Sequence, residues 1–310
     1  QQLLDSLMSH YRSYSEKLTG VKPPSRSLKV SYKDLCDQYS RQRGTPLWYP
    51  YLGSGLGSGP LVELADGSVK YDLICGIGPH FSHGDPGIVR AQLEASFQDV
   101  VMQGNLQQNV DITGVVDRFV TLSGLDHCFL TTSGAMAAEN ALKLAFAQHQ
   151  PATRVLAFED CFMGRTLGLS SLTDKPQYRN GLPETLSVDY IPFYDAASPK
   201  KSTERAVSAL TRLLARYPGQ YAAMVFELGQ GEGGFRVGHT DFFKSLMSVL
   251  KSRSVAVIVD EIQTFGRTPA LFAFQYFKLD KYVDIVTVGK LTQVCATLYR
   301  SDYKPPPGLI

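Results

Sequence analysis

The sequence has little cysteine, and its cysteines do not follow the spacing of a metal site or a disulfide framework. Five cysteines are scattered along 310 residues without a Cys-x-x-C pair. They are Cys36, Cys75, Cys128, Cys161 and Cys295. Zinc ribbons and disulfide scaffolds need closely spaced pairs, so we expect no metal and a reducing, cytoplasmic compartment.

Long apolar runs and an excess of one charge are also missing. No stretch approaches the ~18 apolar residues of a membrane span, and 31 basic against 29 acidic residues give a formal charge of +2. We therefore expect neither a membrane nor a nucleic acid as partner. The chain starts at Gln1 without a basic segment before an apolar one, which predicts no secretory signal. The missing initial methionine predicts a processed, trimmed or partial chain.

Apolar strands and amphipathic helices alternate after residue 85. The pattern predicts strands at 128–132, 155–158, 188–191, 222–226, 255–259 and 284–288. It predicts helices at 86–102, 111–123, 134–148, 202–216 and 240–252. This alternation is typical of an α/β domain with a mostly parallel sheet.

The N-terminal part follows another pattern. Residues 1–18 have apolar side chains at helical spacing, which predicts an amphipathic helix. Residues 19–60 are rich in Pro, Gly and Ser and are predicted to be irregular. Residues 61–72 are predicted to form a short strand pair. We therefore predict an N-terminal segment at 1–75 and a large domain at 76–310.

Charged residues follow several of the predicted strands. Glu227, Asp260 and Lys290 come just past strand ends, where parallel sheets bind ligands. A buried charge without a partner costs several kcal/mol, so Asp260 and Lys290 should pair with each other or with a ligand. A lysine for a Schiff base and an aspartate for a pyridinium nitrogen are the pair that pyridoxal phosphate requires.

Each motif also has an ordinary structural explanation when it is taken alone. Ser133 could begin an anion site at a helix start or could be a helix cap. Phe162 could stack on a flat ring or lie in the core, and Arg165 could clamp a carboxylate or form a surface ion pair. Glu227 follows a buried strand and should need a cation. Glu232 lies in the glycine-rich loop, residues 227–234, and glutamates in such loops are usually exposed to solvent. The order of the motifs decides between these explanations.

That ordered set resembles the class III aminotransferases, which are pyridoxal phosphate enzymes of fold type I. The motifs are Ser133-Gly134, Phe162 to Thr166, Glu227 to Gly234, Asp260 to Gln263 and Gly289-Lys290. The resemblance covers about residues 60–300, and the stretches 134–143 and 289–295 look closest to lysine 6-aminotransferase. It implies a three-layer large domain with an N-terminal arm, and a C-terminal small domain that is absent from this chain.

The resemblance also implies a role for individual residues. Lys290 would bind pyridoxal phosphate as a Schiff base and shuttle a proton, and Asp260 would keep the pyridine nitrogen protonated. Arg165 would bind a substrate carboxylate, and Glu232 would gate a second arginine that lies beyond Ile310. The other implied cofactor contacts are Ser133, Gly134, Ala135, Phe162, Glu227 and Gln263.

Three features depart from the family pattern. Family members usually have histidine directly after the aromatic residue that stacks on the cofactor, here Phe162. This chain has Met163 instead, so that face of the cofactor ring loses a polar neighbour. Ala135 and Met136 replace the common Ser/Thr and Glu, which removes a hydroxyl from the phosphate cup. The segment from Asp260 to Arg267 is one residue shorter than the corresponding segment of the family pattern.

The implied reaction moves an amino group from a terminal (ω) amine, in a donor such as lysine or ornithine, to 2-oxoglutarate. The implied assembly is a homodimer. One alternative is an acetylornithine- or 4-aminobutyrate-type aminotransferase, or an aminomutase. Another is a truncated, catalytically silent protein of the same fold with a binding or assembly role.

Overall fold

The computed structural model describes residues 2–78, 81–99, 101 and 107–310. The chain divides into two compact units, Gln1–Asn109 and Val110–Ile310. The domain assignment made from the sequence, 1–75 and 76–310, stays a prediction. Among the described residues, no helix has both the length and the apolarity needed to cross a bilayer.

The first unit contains helices around a small antiparallel sheet of order β1-β2-β3. Helix α1 contacts both α3 and β1, and Asp85 caps α3 by accepting the N–H of Ile88 at 3.0 Å. The elements are α1 (Gln2–Ser15), α2 (Lys29–Arg43), β1 (Gly53–Ser58), β2 (Leu61–Leu64), β3 (Val69–Tyr71) and α3 (Pro86–Ala95).

The prediction that residues 19–60 are irregular is wrong, because this stretch contains α2 and β1. Helix α2 is mostly polar and buries Cys36, so its sequence has no clear apolar face; Gly44 ends it with a positive φ of 80°. Strand β1 has a glycine at one closely packed position: a Cβ at Gly57 would lie 2.5 Å from His83 Cβ. The helix predicted at 86–102 ends at Ala95, and residues 100 and 102 lie outside the described residues.

The second unit is built on a seven-stranded sheet with the order β4-β12-β11-β10-β7-β5-β6. Strands β11, β10, β7, β5 and β6 pair in parallel, and β12 runs antiparallel between β11 and β4. The strands are β4 (His127–Thr131), β5 (Arg154–Phe158), β6 (Ser187–Ile191), β7 (Tyr221–Glu227), β10 (Ala256–Asp260), β11 (Ile285–Val288) and β12 (Cys295–Tyr299). A mostly parallel sheet confirms the predicted fold class, although β12 was not predicted.

Helices cover both faces of this sheet, which gives three layers. Side chains alternate along each strand, so Val257 and Val259 pack in the core formed with α4, α7 and α8, while Ala256 and Ile258 pack in the core formed with α5 and α6. The remaining elements are α4 (Asp111–Ser123), α5 (Gly134–Gln148), α6 (Leu167–Leu172), α7 (Pro199–Arg216), β8 (Gly229–Gln230), β9 (Arg236–Val237), α8 (Thr240–Ser252) and α9 (Ala273–Tyr276).

The strand directions bring the predicted site residues to one edge of the sheet. Because β12 is antiparallel to both of its neighbours, β4 runs in the same direction as β11. The segments that follow β4, β5, β7, β10 and β11 therefore all leave the sheet at its carboxyl edge, where ligands bind in such folds.

Candidate active site

Lys290 lies at this edge, two residues after the end of β11. It is half-buried, has a positive φ of 53° and begins a short 3₁₀ turn. Burial lowers the pKa of its amine first; nearby Arg267 and Arg165 lower the pKa further, while Asp260 and Glu232 raise it. The amine is therefore within electrostatic reach of three residues that the sequence singled out, and its lowered pKa favours the neutral, nucleophilic form.

Asp260 is the last residue of β10 and is only 6% exposed. Its Oδ1 accepts the N–H of Ile262 at 2.8 Å. Burial raises the pKa of the carboxyl to about 7, against the opposing effects of the Ile262 N–H, Lys290 and the hydroxyl of Thr287. A cationic ligand group beside Asp260 would remove much of the cost of ionising it.

Glu227 ends β7 and is 5% exposed. Burial and then the nearby Asp260 raise its pKa to about 7. Its two oxygens accept the N–H groups of Phe162 and Gly231, each at 3.1 Å. Among the described residues, Glu227 thus forms hydrogen bonds with two backbone donors, whereas the sequence led us to expect a cation. This carboxylate joins two loops of the site.

The start of α5 packs closely on Ile262. Ser133 caps this helix, and its Oγ accepts the N–H of Met136 at 3.2 Å. A Cβ at Gly134 would lie 2.8 Å from Ile262 Cδ1, and a Cβ at Gly289 would lie equally close to the same atom. Glycine at both positions therefore lets the helix start, the segment after β10 and the segment before Lys290 meet.

The loop after β5 presents an aromatic ring and an arginine. Phe162 is half-buried and Arg165 is exposed. A third residue, Tyr178, contacts both of them, and it carried no sequence signal. Met163 is buried in the core beside α5, and its N–H donates to Thr173 Oγ1 at 2.9 Å. The side chain that replaces the usual histidine therefore packs in the protein interior.

The glycine-rich loop is tied to the residues before Phe162. Gln230 Nε2 donates to the carbonyl of Glu159 at 2.7 Å, and the guanidinium of Arg236 donates to Asp160 Oδ2 at 2.7 Å. Strands β8 and β9 are thus both anchored to the segment before Phe162. Glu232, the residue predicted to gate the site, is exposed in the turn between them.

Gln263 lies where the glycine-rich loop meets the segment after β10. A Cβ at Gly231 would lie 3.4 Å from Gln263 Cγ. Both residues line a cavity of about 340 Å³, together with Arg267 and the aromatic rings of Phe235 and Tyr276. Of the nearby charges, Arg267 has the largest effect on the pKa of Lys290 and lowers it. The sequence drew attention to Arg267 only because it comes one residue earlier than in the family pattern.

Glu261, which follows Asp260, has a structural position that was not predicted from the sequence. It is fully buried, and its oxygens accept the N–H groups of Ala273 and Phe274 at 2.8 and 2.7 Å. Burial raises its pKa to about 7. Consecutive residues of a strand point to opposite sides, and this alternation was the available signal that only one of the two carboxylates would face Lys290.

The structure therefore gathers most of the predicted residues around one edge. Lys290 is electrostatically coupled to Asp260, Arg165 and Glu232, and Glu227 links Phe162 to the glycine-rich loop. Ala135 lies beside the loop that carries Phe162, since a Cβ at Gly164 would be 3.3 Å from Ala135 Cβ. The individual roles of these residues stay predictions.

Comparisons with known proteins agree with this arrangement. Residues 54–293 match the profile described as Aminotransferase class-III. An acetylornithine aminotransferase of Methanocaldococcus jannaschii is 30% identical over 242 residues, which are 76% of this chain and 56% of that protein. A putative LysW-aminoadipate semialdehyde/glutamate semialdehyde transaminase of Pyrococcus furiosus is 31% identical over 239 residues, covering 76% of this chain and 60% of that protein. The chain thus spans less than two thirds of these relatives.

Solved structures show the same fold. The ornithine aminotransferase of Toxoplasma gondii superposes with a TM-score of 0.77 at 25% identity, covering 96% of this chain and 69% of that one. The lysine aminotransferase of M. tuberculosis superposes with a TM-score of 0.73 at 24% identity, covering 86% and 68%. From the profile match together with the fold and the site, we conclude that the chain belongs to the class III aminotransferases.

Proposed function

We propose that this protein is a pyridoxal phosphate-dependent aminotransferase. It would take the amino group from the terminal amine of a carboxylate-bearing amino acid, such as lysine or ornithine, and pass it to 2-oxoglutarate. The observation that carries the proposal is the position of Lys290, which is half-buried at the carboxyl edge and electrostatically coupled to Asp260, Arg165 and Glu232.

The residues at the edge fit pyridoxal phosphate. Asp260 is buried with a raised pKa, as expected of a carboxyl that would be paired with a ring N–H. Gly134 and Ala135 are the first residues of α5, whose N–H groups lack partners within the helix and suit a phosphate. The half-buried Phe162 offers a ring face for stacking. When bound, the cofactor supplies an aldehyde for the amine and an electron-accepting ring.

Each residue of the chain would then have a defined task. Lys290 Nζ would hold the cofactor covalently, and its lowered pKa suits an amine that accepts and returns a proton. Asp260 would hold the proton on the ring nitrogen. Gln263 would lie near the ring hydroxyl, and Ser133 would contribute by capping α5, because its hydroxyl already binds the N–H of Met136. Glu227 would keep the stacking loop and the glycine-rich loop in register.

Two residues support the proposed substrate class. Arg165 is exposed and close enough to act on Lys290, so its planar guanidinium could anchor a carboxylate while the far amine of the donor reaches the cofactor. Glu232 lies in an exposed turn. It would neutralise a second carboxylate-binding arginine whenever the part of the substrate that faces this arginine carries no charge. Relatives named for acetylornithine, ornithine and lysine support an amino acid as donor.

We also propose a cytoplasmic homodimer. Trp48, Tyr49 and Tyr51 are exposed, and such aromatic surface is typical of an interface. The five cysteines are all free, which agrees with a reducing compartment. Light scattering should give twice the chain mass, and a monomer that still binds pyridoxal phosphate would count against the dimer.

A labelled amino-transfer assay tests the function. The chain is incubated with pyridoxal phosphate, 2-oxoglutarate and, in separate reactions, lysine, ornithine, N-acetylornithine or 4-aminobutyrate carrying ¹⁵N on the reacting amine. We expect ¹⁵N-glutamate from lysine or ornithine. Transfer from N-acetylornithine or 4-aminobutyrate alone would support the first alternative. A chain that binds pyridoxal phosphate but changes its spectrum with none of these donors would support the silent binding protein.

A further inference from the structure

A tyrosine outside all the sequence motifs connects the two sides of the site. The ring of Tyr178 meets that of Phe162 in an edge-to-face contact, with centroids 5.4 Å apart and planes at 72°. On the same ring, the guanidinium carbon of Arg165 lies 5.9 Å from the centroid. One side chain therefore contacts both the expected stacking aromatic and the expected carboxylate anchor.

The turn that carries Tyr178 is fixed by contacts that do not involve its hydroxyl. Asp174 accepts the N–H of Asp160 at 2.8 Å and pairs with Arg179 at 3.0 Å, just past the turn. Pro176 begins the turn and restricts its backbone. The same turn is therefore attached to the residues just before Phe162.

We propose that Tyr178 is a positioning residue that orients Phe162 against the cofactor and Arg165 toward the substrate carboxylate. The inference rests on the proposed function. An exposed arginine loses rotamer freedom when it binds a carboxylate. A ring that already holds the guanidinium reduces this loss, so Tyr178 should favour donors that carry a carboxylate over donors that lack one.

The test compares Tyr178→Leu and Tyr178→Phe with the wild-type chain. The first readout is the Kd for pyridoxal phosphate by equilibrium dialysis, with visible circular dichroism of the bound cofactor as a signature of ring geometry. The second is the ratio of the binding constants of 4-aminobutyrate and butylamine, measured by single-turnover absorbance. These amines differ in the carboxylate, so their ratio isolates the contribution of Arg165.

We expect Tyr178→Leu to weaken cofactor binding and to lower the 4-aminobutyrate to butylamine ratio, each by about threefold to tenfold, the range of single aromatic and cation–π contacts. Tyr178→Phe should keep wild-type values, because the hydroxyl is not needed. When Arg165→Ala is already present, Tyr178→Leu should leave the ratio unchanged, since the two residues act through one contact.

Tyr217→Leu is the matched control. Its ring also carries a guanidinium, that of Arg154 at 4.1 Å, but Arg154 begins β5 at the opposite edge of the sheet. This variant should leave both readouts unchanged. A Tyr178→Leu chain that folds and keeps both readouts within about twofold of wild type would overturn the inference, as would loss of both in Tyr178→Phe. A wild-type chain that binds no pyridoxal phosphate would instead contradict the proposed function.

Discussion

Asp260 and Glu227 stand directly opposite each other at the ends of the neighbouring parallel strands β10 and β7. The pKa of each carboxyl is raised to about 7, in both cases mainly by burial, and the nearness of Asp260 is the second cause of the rise at Glu227. Two adjacent buried carboxyls do not ionise independently. Because Glu227 already binds two backbone N–H groups, we expect a cationic ring nitrogen to stabilise Asp260.

The raised pKa of Asp260 predicts a pH-dependent stability difference in the cofactor-free chain. An unfolded aspartate has a pKa near 4, so between about pH 4 and 7 the folded chain holds the extra proton. The contribution of Asp260 to the free energy of unfolding therefore falls as pH rises through this window. The Asp260→Asn side chain cannot ionise, so it lacks this pH dependence. The free energy of unfolding of the variant minus that of the wild-type chain, measured by urea unfolding, should therefore rise from pH 4 to 8. A relative stability that stays constant or falls would contradict the raised pKa.

Asp260→Asn should also separate cofactor binding from turnover. The amide has nearly the same shape and can still accept the N–H of Ile262, so pyridoxal phosphate should remain bound. It cannot hold the ring nitrogen protonated, and the loss of such a preorganised charge lowers kcat by about 10²–10³. Steady-state kinetics and the cofactor content of the purified variant measure the two effects. Near-wild-type turnover would refute the role of Asp260.

Glu261→Ala should destabilise the fold. The substitution leaves the buried N–H groups of Ala273 and Phe274 without their acceptor, which should lower the free energy of unfolding by about 2–4 kcal/mol. Glu184→Ala, at an exposed position, should change it by less than about 0.5 kcal/mol. Urea denaturation compares the two. Equal stabilities would mean that Glu261 does not hold α9 as the hydrogen bonds indicate.

Arg165→Lys should impair the ω-amine half-reaction more than it impairs cofactor binding. Lysine keeps the charge but loses the planar fork that binds a carboxylate through two hydrogen bonds, a difference of about 1–2 kcal/mol, or roughly tenfold in donor affinity. Single-turnover spectra with lysine, ornithine, N-acetylornithine and 4-aminobutyrate measure this loss. Arg216→Lys, on an exposed arginine that also lies near a tyrosine ring, is the control. Wild-type rates for every donor would remove the main support for the ω-amine proposal.

Sequence predicted the parts of this structure that depend on local pattern. The apolar runs that became β7, β10 and β11 are buried along their whole length, so their ends, with Glu227, Asp260 and Lys290, could be placed. The register that sets Asp260 opposite Glu227 could not, because it depends on how distant strands pair.

The missed features have equally specific causes. Helix α2 has little apolar periodicity, and β1, which consists mostly of glycine and serine, pairs with β2 although it lacks the side chains typical of strands. Tyr178 reaches the site from a turn 16 residues along the chain from Phe162, and only the three-dimensional structure brings the two rings to 5.4 Å. Residues that act through such long-range contacts leave no local signal in a single sequence.

The covalent attachment of pyridoxal phosphate to Lys290 is the central claim, and borohydride reduction followed by peptide mapping tests it most directly. Lys290 should carry the reduced pyridoxyl group, because it is half-buried, is electrostatically coupled to Asp260 and has a lowered pKa. Lys278 and Lys281 lie in the same part of the chain, ahead of β11, and serve as internal controls. Modification of Lys290 in one-to-one ratio is the predicted result; a pyridoxyl group found on Lys278 or Lys281, with Lys290 unmodified, would contradict the account.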